Sequence, residues 1–512
     1  MIRLLTRNSI MTLSSALIMI LIFPKYDLSY LAWICLIPLL ISIEGEKFGR
    51  SFLNGLITGF IFYAATLYWL VGTLHVYGNL SWLMSIAISA LLITYLALFI
   101  ALFCGITSFF NRYFYSFNIF FIAALWVSLE YLRTYLFTGF PWNLLGYSQW
   151  NNLLVAQVSA ITGVYGVSFL LVLVNALAAK MISYSLELNH RKQSLKSLEV
   201  FAMVLVLVFG YGFIVLARQQ GPVKQKLIKT AVIQPNIPPD VKWDAQEKIN
   251  IMGRYAYYID RLKNNDLEVI VFPETAIPGL LKYDRFLLDK TTEMAGKSKA
   301  YLLVGSVDVV GPGDTRAYTS CFLVTPDGNI AGQYNKGHLV PFGEFVPFRK
   351  YLEKIVPVLK EMGDFIPGNS LDLMKTPHGH YGVNICYEDI FPDLVRRLVK
   401  NGAEVIVNIT IDSWYLDTAA PYQHFYMNVF RAIENRRWVI RSASTGISGY
   451  IDPYGNIISQ THLFKPEISI FPVSPENKMT VYTKYGDVFA KLCVLMVILG
   501  FTGGLIRRKA VA

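Results

Sequence analysis

The feature that constrains this chain most is a series of apolar stretches, each close to the roughly 20 residues that an α-helix needs to cross the hydrocarbon core of a bilayer. They lie near 9–24, 28–43, 52–72, 82–110, 118–138, 159–180, 198–217 and 487–506. The first two are short, and the fourth is long enough to tilt. Backbone in lipid must satisfy its own hydrogen bonds, so such stretches are expected as helices. Charge follows the same division. Residues 1–218 hold 12 Lys/Arg and 6 Asp/Glu, whereas residues 219–486 hold 30 and 28. Most of the net charge of +11 therefore belongs to the apolar parts and the short tail, and the polar middle is nearly neutral. That distribution removes the compositional support for nucleic-acid binding, which rests on a basic face of a folded domain.

The basic loop residues alternate along the chain. Arg3 and Arg7, Lys47 and Arg50, Arg112, Arg191 with Lys192 and Lys196, and Arg507 to Lys509 fall on one side of the expected spans. The opposite short loops carry Lys25 and, at 73–80 and 139–158, no Lys or Arg. The positive-inside rule then puts both termini in the cytoplasm and the polar middle outside. No signal-peptide cleavage motif is apparent, so the first stretch is expected to be retained. The expected organisation is a membrane domain of seven spans at 1–218, an external domain at 219–486, and an eighth span with a basic cytoplasmic tail at 487–512. Near the outer end of the fifth span, Glu130 and Arg133 stand three apart and can share one helix face. Ionisable groups at such a depth serve either as a structural ion pair or in function.

The middle part reads as one α/β domain. Short β-branched runs at Ile228–Gln234, Glu268–Phe272, Tyr301–Gly305, Cys321–Thr325, Gly382–Ile385, Val405–Ile409 and Val439–Ser442 alternate with helical stretches or turns, the clearest helix spanning 243–264. The segment 337–369 is apolar and proline-punctuated, fit either to lie against lipid or to pack inward as a loop. His378 and His380 sit in a turn leading into a strand, and no metal site, nucleotide loop or other cofactor motif is present.

Three polar residues at strand ends draw attention. Cys386 ends the apolar run "YGVNIC" and is followed by Tyr387, Glu388 and Asp389. A thiol there needs a cationic partner to become a useful nucleophile. Glu274, in "VIVFPET", stands where a carboxylate can serve as general base. Lys336, in "YNKGHLVPFGEFVP", enters the apolar loop, and a lysine beside a thiolate lowers its pKa and stabilises an oxyanion. Taken singly, each charge also fits a solvated loop.

Together, "FPET", "YNKGHLVPFGEFVP" and "NICYEDIFP" resemble the nitrilase superfamily, whose Glu–Lys–Cys triad sits on an αββα sandwich. With the spans around them, and with "LEYLRTYLFTGFPWNLLGYSQ", "VIQPNIPPDVKW", "RAIENRRWVIRSASTGIS" and "VYTKYGD", nearly the whole chain resembles the apolipoprotein N-acyltransferase family. The resemblance implies an acyl transfer in a bacterial inner membrane, with the catalytic domain in the periplasm. A phospholipid, typically phosphatidylethanolamine, would donate an acyl group to Cys386, and the amine of a diacylglyceryl-modified apolipoprotein would take it from the thioester. It further implies Glu274 as base, Lys336 and the Tyr387 N–H at the oxyanion, Glu344 as support of the triad, and Glu388, Tyr387 and Trp243 around the nucleophile and acyl pocket. No cofactor is implied, and a monomer is expected. Ile411, Leu416 and Ser444 depart from the common family pattern. The rival readings are a tethered amidase that releases the acyl group to water, and a transporter or scaffold whose external domain only binds.

Overall fold

The computed structural model describes residues 2–114, 119–185, 191–219, 227–242, 244, 246–311, 314, 316–347, 349–352 and 365–511. Two compact units result: Met1–Gly221 with Tyr415–Tyr426 and Tyr485–Ala512, and Pro222–Trp414 with Met427–Lys484.

In the first unit, four helices among the described residues are long and apolar enough to cross a membrane: Trp82–Asn111, Ile119–Thr138, Val164–Ser183 and Leu198–Arg218. A fifth span arises if Phe48–Thr66 and Trp69–Val76, bent by 54°, are taken as one. Leu198–Arg218 exposes Met203, Val206, Leu207 and Phe213, an apolar surface that is costly in water and natural in lipid. Four to five such helices stand against the eight spans expected from the sequence. The stretches at 9–24, 28–43 and 487–506 form shorter apolar helices, Arg7–Leu21, Ser29–Ser42 and Val488–Gly503.

The second of these is broken between a 3-10 turn at Ser29–Trp33 and a helix at Ile37–Ser42. Pro38 has no N–H to give to a preceding turn, so it starts a helix and does not continue one. Asn175 satisfies the backbone at the break, accepting from the Leu36 N–H at 2.8 Å and donating to the Ala32 carbonyl at 2.9 Å. Glu130 and Arg133 are both buried but take different hydrogen-bond partners. Glu130 accepts from the Trp126 indole at 2.9 Å and the Leu145 N–H at 2.7 Å, and Arg133 donates to the Tyr63 hydroxyl.

The second unit contains two six-stranded sheets. Its strands are β1 (Ile228–Gln234), β2 (Val269–Val271), β3 (Tyr301–Val309), β4 (Ala317–Val324), β5 (Ile330–Asn335), β6 (Met374–Thr376), β7 (Gly379–Ile385), β8 (Val405–Thr410), β9 (Trp438–Ala443), β10 (Gly449–Ile451), β11 (Ile457–Gln460) and β12 (Glu467–Val473). The first sheet runs β12-β1-β2-β3-β4-β5 and the second β11-β10-β9-β8-β7-β6. Each is built alike: three parallel strands (β1, β2 and β3; β7, β8 and β9) continue into an antiparallel meander.

Helices Lys248–Leu262 and Arg285–Ser298 cover the first sheet. They press Ile251, Tyr255, Ile259, Leu262 and Met294 onto Ile270, Phe272, Leu302 and Val304. The second of these helices starts where the Asp284 side chain accepts from the Leu287 N–H at 3.2 Å, a cap for an otherwise unpaired donor. On the second sheet, Leu398 of the helix Pro392–Lys400 packs over Gly382 of β7. Between the sheets, the Ser442 hydroxyl faces the carbonyls of Ile233 and Val271 at 3.2 Å. The unit thus has the nitrilase-like two-sheet fold expected of it.

All seven expected β runs coincide with strands. The five strands not expected are β5, β6, β10, β11 and β12, which include the edge strand at both ends of both sheets. Edge strands pair on one side only and need no continuous apolar run. In β11, for instance, partly buried and exposed residues alternate.

Candidate active site

The site grows from three chain reversals in the second unit. The first is the end of β7. Directly after Ile385, Cys386 adopts φ 52°, a left-handed conformation that costs any residue with a Cβ atom. A short 3-10 turn, Cys386–Ile390, leads into the helix Pro392–Lys400, whose proline stands where an N–H would be unpaired anyway.

Glu388 pins this turn. Its carboxylate accepts the Ile385 N–H at 2.7 Å, the Gly337 N–H at 2.7 Å, the His338 N–H at 3.0 Å and the Tyr334 hydroxyl at 2.9 Å. One buried side chain thereby ties the Cys386 turn to the loop after β5. Burial pushes the Glu388 carboxyl up to about 7, against the pull of the Ile385 N–H and the charge of Lys336.

The second reversal follows β2. Pro273, Glu274 and Thr275 turn back across β3, with Thr275 at φ 44°. The turn lies so close to β3 that a Cβ on Gly305 would stand 2.4 Å from the Pro273 carbonyl oxygen and 2.5 Å from the Thr275 nitrogen. Only glycine permits that approach. Glu274 is buried there, and its Oε2 has no conventional hydrogen-bond partner among the described residues.

The third reversal is the exit of β5. Lys336, with 1% of its side chain exposed, reaches Glu344 Oε1 at 2.7 Å and Glu274 Oε1 at 3.7 Å. Glu344 holds its own loop as well, accepting the Val340 N–H at 2.8 Å.

Glu274, Lys336 and Cys386 thus converge although 62 residues separate the first two and 50 the last two. Burial works against the Lys336 ammonium, but Glu344, Glu274 and Cys386 outweigh it and raise its pKa, so the lysine stays charged. Burial lifts the Glu274 carboxyl above its ordinary range, while Lys336 pulls it down. The Cys386 thiol is pushed up by burial and by Glu274, against which Lys336 acts in the opposite direction. Lys336 does act on the thiol in the direction expected of a neighbouring lysine, but burial and the Glu274 carboxylate act against it. The arrangement sets a thiol beside a carboxylate able to accept its proton, which suits proton removal during attack.

Beside Cys386 lies a second set of buried groups. Parallel pairing of Ile385 with Ile409 sets Cys386 beside Thr410. The Thr410 hydroxyl lies 3.2 Å from Asp412 Oδ1. Arg441 joins Asp412 at 2.9 Å, Asp389 at 2.6 Å and Asn408 at 2.5 Å, and the Asn408 amide donates to the Cys386 carbonyl at 3.3 Å.

Comparison with known proteins gives the family. Residues 229–477 match the family model described as carbon-nitrogen hydrolase, and residues 15–177 match the apolipoprotein N-acyltransferase N-terminal domain. The apolipoprotein N-acyltransferase of Geobacter metallireducens is 36% identical over 492 residues, covering 95% of this chain and 93% of that protein. The chain belongs to the apolipoprotein N-acyltransferase family. Apolipoprotein N-acyltransferase 1 of Treponema denticola is 30% identical, over 96% of this chain and 95% of its own. The crystal structure of Nit3 from Saccharomyces cerevisiae, a nitrilase-superfamily member, is similar at 20% identity and a TM-score of 0.39, over 49% of this chain and 91% of that one.

Within this apolipoprotein N-acyltransferase family member, the structure brings together six of the seven residues singled out in the sequence: Glu274, Lys336, Glu344, Cys386, Tyr387 and Glu388. The ring of Tyr387 packs against Phe391 at 5.2 Å between centroids. Trp243 lies outside the described residues, as do Phe348 and 353–364 of the apolar loop. Among the departures from the family pattern, Leu416 takes φ 56°, a conformation that glycine adopts freely. The Ser444 hydroxyl lies 3.2 Å from the Ile237 carbonyl, and Ile411 is buried.

Sequence reasoning missed Lys242, Thr410, Asp412 and Arg441 as neighbours of the site. Lys242 was legible only as one residue of the "PPDVKW" string. Nothing local marks a lysine as buried.

Proposed function

We propose that this family member N-acylates apolipoproteins by a two-step transfer through a thioester on Cys386. In the first step the Cys386 sulfur attacks the ester carbonyl of a phospholipid, phosphatidylethanolamine in the first instance, as Glu274 takes the thiol proton. The tetrahedral oxyanion faces the Lys336 ammonium and the Tyr387 N–H. The ester C–O bond then breaks, and Glu274 returns the proton to the departing lysophospholipid.

In the second step the amine of the diacylglyceryl-cysteine attacks the thioester and gives its proton to Glu274. The C–S bond breaks, and the proton passes back to the sulfur, regenerating the thiol. An α-amine with a pKa near 8 is partly neutral at physiological pH, and a thioester accepts it more readily than an oxygen ester would. Glu344 keeps Lys336 in place, and Glu388 holds the two loops in register. Trp243 belongs to the acyl pocket in this reading.

The observation that carries the reading is the buried convergence of Glu274, Lys336 and Cys386 in a chain of this family. The apolar helices and the basic loop pattern support a bacterial inner-membrane protein with cytoplasmic termini and a periplasmic catalytic domain, and a monomer suffices for the transfer. Both substrates are lipids, which gives a reason for tethering such a domain to the membrane.

The test is the intact mass of the detergent-purified protein after incubation with phosphatidylethanolamine, alongside Cys386→Ala. The expected result is one added acyl group, released by neutral hydroxylamine and absent in the variant. Free fatty acid and lysophospholipid with no adduct would replace the transferase reading with a hydrolase.

A further inference from the structure

Lys242 is a buried cation that the transfer just described leaves unused. It ends the short helix Pro239–Lys242, is 3% exposed, and its Nζ donates to the main-chain carbonyl of Glu274 at 2.7 Å. The charged group it faces is Glu274. Around Glu274 itself stand Lys336, Glu344, Lys242 and the Cys386 thiol.

Around the thiol's neighbour there are therefore two carboxylates, Glu274 itself and Glu344, and two ammonium groups, Lys336 and Lys242. Lys336 lies closer to Glu344, at 2.7 Å, than to Glu274, at 3.7 Å, so its charge is shared unequally and the carboxylate next to the thiol receives the smaller part. A buried carboxylate without a full counter-charge prefers to be protonated. Such a group cannot accept the proton of a thiol. The carbonyl that Lys242 binds also belongs to the turn in which Thr275 is held at φ 44°, where an unpaired buried carbonyl would favour relaxation.

We propose that Lys242 is a positioning residue for the general base: its ammonium holds the Glu274 turn by the main chain and supplies the second positive charge that keeps the carboxylate ionised. The inference rests on Glu274 acting as the base. Burial lowers the Lys242 pKa to about 7, with Glu274 opposing. Lys242 is thus charged on the acid side of neutrality, where ionisation of Glu274 is hardest, and loses its charge above it. The two groups titrate as a pair.

The experiment is the pH dependence of Cys386 acylation by phosphatidylethanolamine, followed by intact mass in single turnover. The acid limb of such a profile reports the base of the free enzyme. Lys242→Met is expected to move that limb up by about one pH unit or more, slowing acylation at least ~10-fold at pH 6 and less than ~3-fold at pH 8.5. Lys242→Arg, which stays charged throughout, is expected to keep the limb where it is in the native protein. Lys242→Gln keeps a donor without the charge and carries the test if the methionine variant does not fold. A limb that moves with Gln and Met but not with Arg supports the inference. A profile that keeps its shape, whether at full rate or uniformly lowered, overturns it. If the native protein itself takes up no acyl group, the thioester reading fails, independently of Lys242.

Discussion

Two buried ionic clusters lie at strand ends of the second unit, and they are built on opposite plans. Around Arg441 the hydrogen bonds are dense. The guanidinium reaches Asp389, Asp412, Asn408 and the Ile447 carbonyl, and Asn428 adds a bond to Asp389 at 2.6 Å. Around the Glu274 carboxylate the bonds are sparse: among the described residues Oε2 lacks a conventional partner, Lys336 stands off at 3.7 Å, and Glu344, Lys242 and the Cys386 thiol complete its surroundings. A densely bonded cluster resists change in charge, because most of its protons and electron pairs are already engaged. A sparsely bonded one stores the cost of an incomplete shell, which suits the proton transfer proposed for Glu274. The difference separates scaffold from chemistry more sharply than burial does, since both clusters are buried.

The comparison breaks if both clusters respond alike to substitution. Glu274→Gln, nearly isosteric, is expected to lower turnover by roughly 10²–10⁴-fold, the usual worth of a general base. Its unfolding midpoint should stay within a few degrees of native, as read by intrinsic fluorescence in detergent. A large loss of stability with turnover intact would place Glu274 in the scaffold.

Arg441→Met should do the reverse. It strands two buried carboxylates, a change worth about 3–5 kcal/mol, and should lower the midpoint by roughly 10 °C or prevent accumulation of folded protein. A midpoint within 2–3 °C of native, on the order of 1 kcal/mol, would show that the network contributes little.

The smallest effect is expected from Glu293→Ala on the exposed face of the helix Arg285–Ser298. Lys290 and Lys297, both at 2.8 Å, hold the Glu293 carboxyl down to about 2, with Lys290 the stronger influence. The sign is that of a depressed acid: any stability it adds is present above the ordinary carboxylate range and is lost as pH falls towards 2. Solvent screening reduces such exposed pairs to a few tenths of a kcal/mol. The variant should melt within about 1 °C of native at pH 7, and a larger shift would blur the contrast between buried and surface charge.

Legibility in the sequence followed how each feature is encoded. The parallel strands β1, β2, β7, β8 and β9 were readable because both of their faces are buried, which demands a continuous apolar run. The edge strands β5, β6, β11 and β12 were not, since a half-exposed strand carries mixed residues. The break near Pro38 was equally hidden, because it depends on Asn175 arriving from a distant helix to satisfy Leu36 and Ala32. Cys386, Glu274 and Lys336 were readable as polar residues at strand ends within specific strings. Lys242 and Arg441 were not, for nothing around them in the chain distinguishes a buried cation from a solvated one.

The sequence by itself determined that the chain carries membrane-length apolar helices beside a nitrilase-like α/β domain, and which family it belongs to, because hydrophobic patterning and local strings are properties of short segments. Only the tertiary structure decided that burial raises the pKa of the Cys386 thiol, that Glu388 clamps two loops together and that a second lysine holds the Glu274 carbonyl. Those outcomes depend on burial and on distances of a few ångströms between residues far apart in the chain, and electrostatic energy in a low-dielectric interior is set by such distances.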